Sequence, residues 1–425
     1  MKRILIDGRF VGVGESVSRY TLAIVSRIVK LDPENKYTLL VRPQGVKLAE
    51  QFLRSRGVIP DSIGNPENTI LDPRVKPEDD NVRGTTNLEL EVLDIAHYSP
   101  KEQTGLLKYL NEKQFDLVHF TQFNHPIFYK GKFVVTVHDL TMLGHLHRQN
   151  PIKRIAFNKV MKAAAYNSTK ILTVSETSKK DILEYYDIPK DKIVVTYLGV
   201  DDKYNISVRS QQSKIDQFSK KYGIGDQYIL YTGMWKRHKN LLRALEAFEI
   251  AAKKGEIKDR KVQFVMAGKV DEKEQDVLEL IKKINSGLRT EDSGHGVCNP
   301  SPKPQALNPV VTTGFVLEEE LPIAYAGALA YIIPSLSEGF GLPPLEAMAC
   351  GTPVISSKES CMPEILGDVP LYFDPYNIND MAKAMEQIVT DKTLRQKMIP
   401  KGLEQVRKYS WNDTAEKTLE VYKAY

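Results

Sequence analysis

Cysteine is scarce in this sequence, and its scarcity argues against two kinds of stabilising site. The three cysteines among 425 residues are Cys298, Cys350 and Cys361, and no two of them are closely spaced. Such spacing indicates neither a zinc site nor a disulfide framework, so we expect a reducing compartment. A strong net charge is missing as well, because 59 basic and 54 acidic residues leave a formal charge of +5. That balance does not favour a nucleic-acid partner, although it suits an anionic substrate or a lipid surface.

Long apolar runs are also missing. The longest uncharged stretch, residues 321–337, is interrupted by Pro322 and Pro334 and is too short for a membrane-spanning helix. The first residues, MKRILIDGRF, place Asp7 where a signal peptide would need its apolar core. We therefore expect a cytoplasmic protein that at most rests on the inner face of the cell membrane.

What the sequence does contain is an alternation of short apolar runs and helical segments. The runs are rich in Val and Ile without strict alternation, which is typical of strands buried on both faces of a parallel sheet. Helical periodicity lies between them, as in residues 17–31 and 151–167. This order predicts a doubly wound α/β domain. The clearest strand-like runs are residues 3–7, 37–41, 116–120, 133–139, 170–175 and 192–200.

The same alternation starts again after Asp201. It predicts a second domain of the same architecture, followed by a last helix whose place beyond the second sheet allows it to pack back on the first domain. The strand-like runs are residues 228–233, 262–268, 310–315, 329–335 and 352–357. The resulting domains are 1–205, 206–410 and the helix 411–425.

Two segments break this pattern. Residues 58–86 and 289–309 are polar and rich in proline, with no helical or strand period. Structureless loops of this length are unusual in a compact domain. We interpret both as exposed loops of little function, the first resembling repetitive elements that interrupt some bacterial reading frames. A lid on the acceptor side is the alternative for either segment.

The stretch SEGFGLPPLEAMACG, residues 337–351, follows an apolar strand and leads into a helix. Its Gly-rich turn therefore lies at the C-terminal end of a strand, where doubly wound sheets bind ligands. Backbone N–H groups and the helix dipole there suit a phosphate or diphosphate. Glu338 and Glu346 flank that anion site, and carboxylates suit the hydroxyl groups on both sides of the diphosphate of a nucleotide sugar. The alternative is a pair of solvated carboxylates near a helix end.

With its continuation to Ser357, this stretch resembles the Glu-x7-Glu signature of retaining glycosyltransferases with the GT-B fold, in the large group-1, or family-4, set. The resemblance implies two Rossmann-like domains facing across a cleft. It implies that Glu346 binds the ribose of the donor, and that Glu338 is catalytic and contacts sugar hydroxyls near the reacting carbon. The residues implied to receive the diphosphate are Gly339, Phe340, Gly341 and the adjoining Leu342.

A basic cluster follows the first strand of the second domain, which ends at Gly233. Cations at this edge of the sheet can neutralise a leaving nucleoside diphosphate. The letters HKN resemble an Arg/His-Lys-Asn element of the family, which implies that Lys239 grips the diphosphate during catalysis and that Arg237 assists donor binding. An ordinary solvated basic turn is the alternative. The cluster consists of Lys236, Arg237, His238 and Lys239.

Polar residues also follow strands of the first domain. In the family, the element VHDL lines the cleft, which implies that His138 approaches the donor sugar and that Asp139 orients the imidazole or meets the acceptor. A strand-end histidine with a structural role is the alternative. Ser175 is explained by helix capping, although the family commonly turns this element toward the cleft.

The loop after the first strand carries Gly12 and Gly14. A dinucleotide fingerprint needs a third glycine where Val17 stands, so this loop argues against an NAD enzyme. In the family the loop closes the cleft near the acceptor or diphosphate. Leu198 replaces the usual asparagine of another family element, YLGVD, so that asparagine's contact is not expected.

The sequence contains no Asp-x-Asp triplet, the usual metal-binding device of GT-A transferases. We therefore expect a metal-independent retaining hexosyltransferase without a cofactor. VHDL and HKNL together resemble mannosyltransferases of bacterial surface-polysaccharide and lipopolysaccharide assembly, which implies GDP-mannose first, UDP-glucose second, and a saccharide or lipid-linked acceptor. The alternatives are a UDP-sugar-dependent transferase, a UDP-sugar 2-epimerase, a non-catalytic nucleotide-sugar-binding protein and, least favoured, an NAD-dependent oxidoreductase.

Overall fold

The computed structural model describes residues 1–13, 15–59, 87–141, 151–253, 257, 259–269, 271, 273–287 and 308–425. Gly14 lies outside these residues, as do all but two residues of each predicted loop, 58–86 and 289–309. The chain forms two compact units. One consists of Met1–Leu198 with Trp411–Tyr425, and the other of Gly199–Ser410.

The first unit is built on a parallel sheet with the strand order β3-β2-β1-β4-β5-β6-β7 among the described residues. The chain moves outward from β1 to β3 and then restarts at β4 on the other side of β1, so the switch point lies between β1 and β4. Strands β1 and β5 are buried almost throughout, as expected for apolar runs covered on both faces. The strands are β1 (Arg3–Asp7), β2 (Lys36–Val41), β3 (Leu88–Val92), β4 (Leu117–Phe120), β5 (Phe133–Val137), β6 (Lys170–Thr173) and β7 (Ile193–Val195).

Helices of the first unit follow the predicted alternation. The segments predicted at 17–31 and 151–167 are both helical, and a π-helical turn, Glu102–Leu106, leads into a third helix. The predicted strand at 192–200 is shorter, because only Ile193–Val195 pairs with β6. The helices are α1 (Glu15–Leu31), α2 (Pro43–Ser55), α3 (Leu107–Lys113), α4 (Pro151–Asn167) and α5 (Glu176–Tyr185).

Strand β3 was absent from the sequence prediction. It reads LELEV, and its side chains are half-buried or exposed. An edge strand hydrogen-bonds to one neighbour only, so it needs no continuous apolar run, and the apolar pattern used for the other strands does not detect it.

The second unit repeats the plan, with the order β10-β9-β8-β11-β12-β13 among the described residues and parallel pairing throughout. Its switch point lies between β8 and β11. The strands are β8 (Tyr228–Thr232), β9 (Gln263–Ala267), β10 (Val310–Gly314), β11 (Ala330–Ile333), β12 (Val354–Ser357) and β13 (Leu371–Phe373).

Helices of the second unit cover both faces of this sheet. One core cluster joins Phe248, Phe264 and Met385 with the aliphatic side chains of the strands. The helices are α6 (Gln212–Tyr222), α7 (Leu241–Ala252), α8 (Gln275–Gly287), α9 (Leu321–Gly327), α10 (Leu342–Ala349), α11 (Met362–Leu366), α12 (Ile378–Thr390) and α13 (Lys392–Val406).

The last helix, α14 (Trp411–Lys423), belongs to the first unit. Arg27 Nε on α1 donates a hydrogen bond of 2.8 Å to Asn412 Oδ1, and Tyr422 near the far end of α14 is buried. In the part of the chain that the structure describes, no helix combines the length and apolar character needed to cross a bilayer.

Candidate active site

The loops that follow β8 and β11 meet at the switch point of the second sheet. The backbone N–H of Leu336 donates to the carbonyl oxygen of His238 at 2.7 Å, which joins the two loops directly. Doubly wound sheets bind ligands in the crevice at this point. Folding therefore brings together two sequence motifs that stand about a hundred residues apart, the basic cluster and the Glu-x7-Glu stretch.

Lys239 and Glu338 form an ion pair across this crevice. Lys239 Nζ lies 2.6 and 2.8 Å from the two carboxylate oxygens, and the side chains are 23% and 13% exposed. Burial by itself raises the pKa of Glu338, but the charge of Lys239 and its hydrogen bonds outweigh that effect and lower the pKa. Glu338 is therefore a carboxylate at neutral pH, partly open to solvent and paired with Lys239.

The backbone of Glu338 is held from the loop after β12. Ser360 Oγ accepts a hydrogen bond from the N–H of Glu338 at 3.1 Å and donates one to its carbonyl oxygen at 2.9 Å. Cys361 Sγ donates to the same carbonyl oxygen at 3.2 Å. Ser360 has φ +59°, a left-handed conformation that residues other than glycine seldom adopt. Neither residue stood out in the sequence, because the contact depends on two loops that are distant in the chain.

The turn after Glu338 is packed tightly against its neighbours. Gly341 has φ +90°, and a Cβ there would overlap the side chain of Met362. The Phe340 ring packs edge-on against Tyr409 with centroids 5.4 Å apart. Helix α10 begins at Leu342, and Pro343 and Pro344 follow it without backbone N–H groups. The N–H of Leu342, which lacks an intrahelical partner, therefore lies directly after the turn. Gly339 precedes Phe340 and is buried.

Glu346 lies inside α10 and is only 3% exposed. Its Oε2 accepts a hydrogen bond of 3.0 Å from the hydroxyl of Tyr325 on α9, and that hydroxyl also lies 3.0 Å from Thr232 Oγ1. Burial, with the negative charge of Glu346, raises the pKa of Tyr325, so this phenol stays protonated and can donate. The carboxylate of Glu346 is thus oriented from the end of β8 and from α9.

Asn240 connects three loops at this edge of the sheet. It is buried with φ +58°, and its Nδ2 donates to the carbonyl oxygens of Pro375 at 2.8 Å and Pro334 at 3.2 Å. In the sequence, Asn240 was noted only as the last residue of the HKN element. Arg237 and Lys239, by contrast, lie on the short 3₁₀ turn before it, where Arg237 is exposed.

Glycine ends three neighbouring strands of the second sheet. Gly233, Gly268 and Gly314 all have positive φ, and a Cβ on Gly268 would overlap the carbonyl oxygen of Gly233. The hydrogen-bond ladder continues through them, with Gly233 N–H donating to Ala267 at 2.9 Å and Gly268 N–H donating to Gly314 at 2.8 Å. The missing side chain of Gly268 therefore lets the backbone approach Gly233 closely where β8 reaches the crevice.

In the first unit, His138 follows β5. Its Nε2 lies 3.0 Å from the carbonyl oxygen of Thr121, and the ring of Tyr20 meets the imidazole edge-on at 4.9 Å. A carbonyl only accepts, so Nε2 carries the proton and Nδ1 is left as an acceptor. Burial lowers the pKa of His138, opposed by Thr121 and by the charge of Asp139. The imidazole is therefore neutral at pH 7.

A second histidine, His119, is connected to Tyr20 through a hydroxyl group that both residues contact. It is fully buried, its Nε2 lies 2.7 Å from Thr136 Oγ1, and its Nδ1 shares a hydrogen bond with the hydroxyl of Tyr422 on α14. The hydroxyl of Tyr20 lies 3.0 Å from the same Thr136 Oγ1. Burial lowers the pKa of His119 to about 3. Within a buried strand such a histidine cannot be distinguished from other core positions by sequence.

The remaining predicted residues of the first unit occupy different settings. Asp139 is exposed, and its Oδ1 accepts from the N–H of Thr141 at 2.9 Å. Ser175 is fully buried, and its hydroxyl caps α5 by accepting from the N–H of Ser178. Ser178 Oγ in turn donates to the carbonyl oxygen of His138 at 3.2 Å. Gly12 has φ +79° in the loop after β1.

Within the described residues, no group of three or more His, Cys, Asp or Glu side chains is placed to hold a metal ion.

Comparison with known proteins identifies the family. The family described as Glycosyl transferases group 1 matches residues 301–405, and the family described as Glycosyltransferase Family 4 matches residues 53–204. The O-antigen chain mannosyltransferase B of Escherichia coli is 27% identical over 68% of this chain and 70% of its own length. The serotype-specific mannosyltransferase WbdA of Escherichia coli is 28% identical over 68% of this chain, which spans only 33% of WbdA.

Among solved structures, Anabaena HepE in complex with UDP and glucose superposes with a TM-score of 0.68 at 15% identity, covering 100% of both chains. This likeness shows the fold. The chain belongs to the group-1 glycosyltransferases and has the GT-B fold.

Proposed function

We propose that this glycosyltransferase moves mannose from GDP-mannose to a hydroxyl group during assembly of a surface polysaccharide, with retention at the anomeric carbon and without a metal ion. The observation that carries the proposal is the Lys239–Glu338 pair at the switch point of the second sheet. It joins a cation that suits a diphosphate to a carboxylate that suits sugar hydroxyls. Glu346 follows Glu338 in the same motif and lies within α10.

The arrangement supports a simple course of donor binding. A diphosphate at the N-terminus of α10 would meet the N–H of Leu342 and the positive end of the helix dipole, and it would compete with Glu338 for Lys239. When Lys239 turns to the phosphate, the carboxylate of Glu338 becomes available to accept hydrogen bonds from the sugar. Arg237, exposed on the same 3₁₀ turn, adds positive charge for the departing nucleotide.

We assign Glu346 to the ribose of the donor. A ribose offers two hydroxyl donors, and the carboxylate of Glu346, held by Tyr325, is an acceptor of the matching kind. Because the carboxylate is already oriented, little side-chain entropy is lost when the ribose binds. Loss of Glu346 should therefore weaken donor affinity more than it slows the transfer step.

For the chemical step we propose attack on the same face of the sugar. The bond from the anomeric carbon to the β-phosphate oxygen breaks, the acceptor oxygen bonds to that carbon, and the departing phosphate oxygen takes the proton of the acceptor hydroxyl. Lys239 and the helix N-terminus stabilise the charge that develops on the phosphate. His138, neutral with Nδ1 as acceptor, is assigned to a hydroxyl of the donor sugar.

The proposed identity of the donor is based on the relatives of this chain. Two of them are named as mannosyltransferases, which favours GDP-mannose, whereas HepE was solved with UDP and glucose, which keeps UDP-glucose as the second candidate. Thermal unfolding with GDP, UDP, ADP and dTDP separates these. A nucleotide at 100 times its dissociation constant adds about 2.7 kcal/mol of stability. We expect GDP alone to raise the unfolding midpoint of the wild type, and to stabilise Glu346→Ala by no more than about half as much at the same concentration.

Each other outcome changes a specific part of the proposal. A shift with UDP alone retains the enzyme class and discards the mannose donor. Binding without turnover of GDP-mannose or UDP-glucose would favour a non-catalytic nucleotide-sugar-binding protein. The anomeric configuration of the product, read by NMR coupling constants, tests retention directly.

We also propose that α4 rests on an anionic lipid surface, which would place the enzyme at the inner face of the cell membrane near a lipid-linked acceptor. Exposed residues spaced by three or four positions form one side of this helix, and they combine cations with apolar groups, as interfacial helices do. Lys162 Nζ lies 5.9 Å above the ring of Tyr166. This face consists of Ile155, Lys159, Lys162 and Tyr166.

Sedimentation with phosphatidylglycerol vesicles tests the lipid proposal. Lys159→Glu with Lys162→Glu should abolish binding, whereas Lys214→Glu with Lys220→Glu on the exposed side of α6 makes the same charge change and should leave binding intact. Equal binding by the two double variants would rule out α4 as the contact surface.

A further inference from the structure

Tyr98 presents an aromatic ring at the ligand-binding edge of the first sheet, on a strained backbone. It lies in the loop between β3 and α3, has φ +57°, and remains 58% exposed. A left-handed conformation is disfavoured for a bulky residue, and strain of this kind is concentrated at ligand-binding positions. More than half of the side chain is exposed, so burial of the ring offers little to offset the strain.

Buried ionic contacts hold this conformation in place. The N–H of Tyr98 donates to Glu102 Oε2 at 3.0 Å, and Glu102 Oε1 accepts from Arg9 Nη2 at 2.9 Å. Arg9 also makes two hydrogen bonds of 2.8 Å to the carboxylate of Asp7 at the end of β1. Asp7, Arg9 and Glu102 are all buried. The loop of Tyr98 is therefore fastened to the end of β1 by an Asp-Arg-Glu triad.

This anchoring places the ring at the switch point of the first sheet. Arg9 follows β1, and the ring of Tyr98 lies 6.2 Å from that of Phe123, which follows β4. The crevice between these two strand ends is where a doubly wound sheet takes a ligand. Partial burial raises the pKa of Tyr98 to about 12, with Glu102 and Asp139 contributing. Asp139 is exposed directly after β5, which pairs with β4, so it follows the strand next to the one that leads to Phe123.

The chemistry of this crevice favours a neutral, hydroxyl-rich ligand. The triad contains two carboxylates and one guanidinium, and Asp139 adds another negative charge, so a diphosphate is disfavoured. A pyranose has a face of C–H groups that stacks on an aromatic ring, whose face is negative, and its hydroxyls donate to carboxylates. The groups suited to a nucleotide, by contrast, lie in the second unit.

We propose that Tyr98 is the stacking platform for a saccharide acceptor and that Asp139 accepts hydrogen bonds from the hydroxyls of that acceptor. The inference rests on the proposed transferase function and adds to it Tyr98 as a contact that selects the acceptor. The Asp7–Arg9–Glu102 triad acts through the backbone of Tyr98 and is a positioning element.

Binding of small saccharides to the full chain tests the proposal. The probes are α-1,3-mannobiose, methyl α-D-glucoside and N-acetylglucosamine. Binding of each probe is measured by saturation-transfer NMR with GDP or UDP present. We expect the wild type to bind at least one probe, and Tyr98→Asn to bind it about tenfold more weakly, the value of one aromatic contact. Asparagine tolerates left-handed φ, so the loop keeps its conformation. Tyr98→Phe retains the ring and should bind within about twofold of the wild type.

Donor measurements on the same proteins separate the two levels of the proposal. Nucleotide binding and the slow hydrolysis of the nucleotide sugar without acceptor should be unchanged in Tyr98→Asn. If the wild type neither binds nor hydrolyses a nucleotide sugar, the transferase proposal fails. If it does, and either no probe binds or Tyr98→Asn binds as well as the wild type, the Tyr98 subsite alone is overturned.

Discussion

The hydroxyl group of Ser360 is hydrogen-bonded to both backbone polar groups of Glu338, at 3.1 and 2.9 Å. The loops after β11 and β12 are therefore joined at one residue, which has φ +59°. The backbone of Ser360 is kept in a conformation that suits glycine. This indicates that the hydrogen bonds of its hydroxyl group outweigh the cost of that conformation.

Ser360→Gly should separate activity from stability. Glycine relieves left-handed strain of about 1–2 kcal/mol, which offsets the loss of two hydrogen bonds worth about 1 kcal/mol each, so the unfolding midpoint should barely move. Turnover should nevertheless fall by about tenfold or more, because Glu338 is no longer fixed. Ser360→Ala keeps the strain and should lose both activity and about 2 kcal/mol of stability. Wild-type turnover in Ser360→Gly would show that Ser360 has no positioning role.

The two glutamates should have separable kinetic effects. Glu338→Ala should lower kcat by about 100-fold or more, because a group that acts on the reacting sugar stabilises the transition state. Glu346→Ala should mainly raise the donor KM, by about tenfold or more. Initial rates with the donor that binds provide both constants, and Glu319→Ala, exposed in the same unit, is the control. Near-wild-type constants in both variants would refute the site assignment.

Metal removal tests the electrostatic assignment. Lys239 and the first turn of α10 should supply the charge that a divalent ion supplies elsewhere, so transfer measured after EDTA treatment should stay within about twofold of the untreated rate. Loss of activity that magnesium or manganese restores would contradict this expectation.

Gly268→Ala should destabilise the second unit by about 3 kcal/mol or more, because a Cβ there overlaps the carbonyl oxygen of Gly233 and φ is +148°. Gly223→Ala is the matched control. Its φ is +67° with nothing within 4 Å of the added Cβ, so it isolates conformational strain of about 1 kcal/mol. Equal chemical denaturation midpoints for the two variants would mean that the strand ends are not close-packed.

His119 should take up a proton when the protein unfolds at mildly acidic pH. Its pKa is about 3 when folded and about 6.5 when unfolded. Between these values only the unfolded state binds the proton, so this contribution to stability is complete above pH 6.5 and is lost as pH falls below it. On unfolding in guanidinium chloride at pH 5.5, the wild type should take up about 0.9 more protons per molecule than His119→Asn does. Equal uptake would show that His119 is already charged in the fold.

Much of the fold was predictable because its strands are buried on both faces. Apolar runs such as residues 3–7 and 133–137 carry that signal locally, and the Gly-Phe-Gly turn before a proline-started helix marks the ligand edge of the second sheet. The half-exposed β3 carries no such signal. The boundaries of β7 depend on its pairing with β6, which no local sequence pattern predicts.

The candidate site was predictable only where chemistry and local pattern coincide. Glu338 and Lys239 belong to recognisable motifs, and the structure brings them into contact. Ser360, Tyr325 and Tyr98 do not, because each acquires its place from a partner in another loop or helix. Ser175 is different, because the capping role that its sequence pattern predicts is the role that the structure shows.

The place of α14 has a consequence for how the chain is made. Residues 411–425 complete the first unit, yet a ribosome reaches them only after it has finished the whole second unit. Until then the nascent chain exposes the surface of α1 and His119 that Asn412 and Tyr422 later cover. The N-terminal half thus has to wait for its own last helix, and a fragment ending at Leu198 would lack part of its own core.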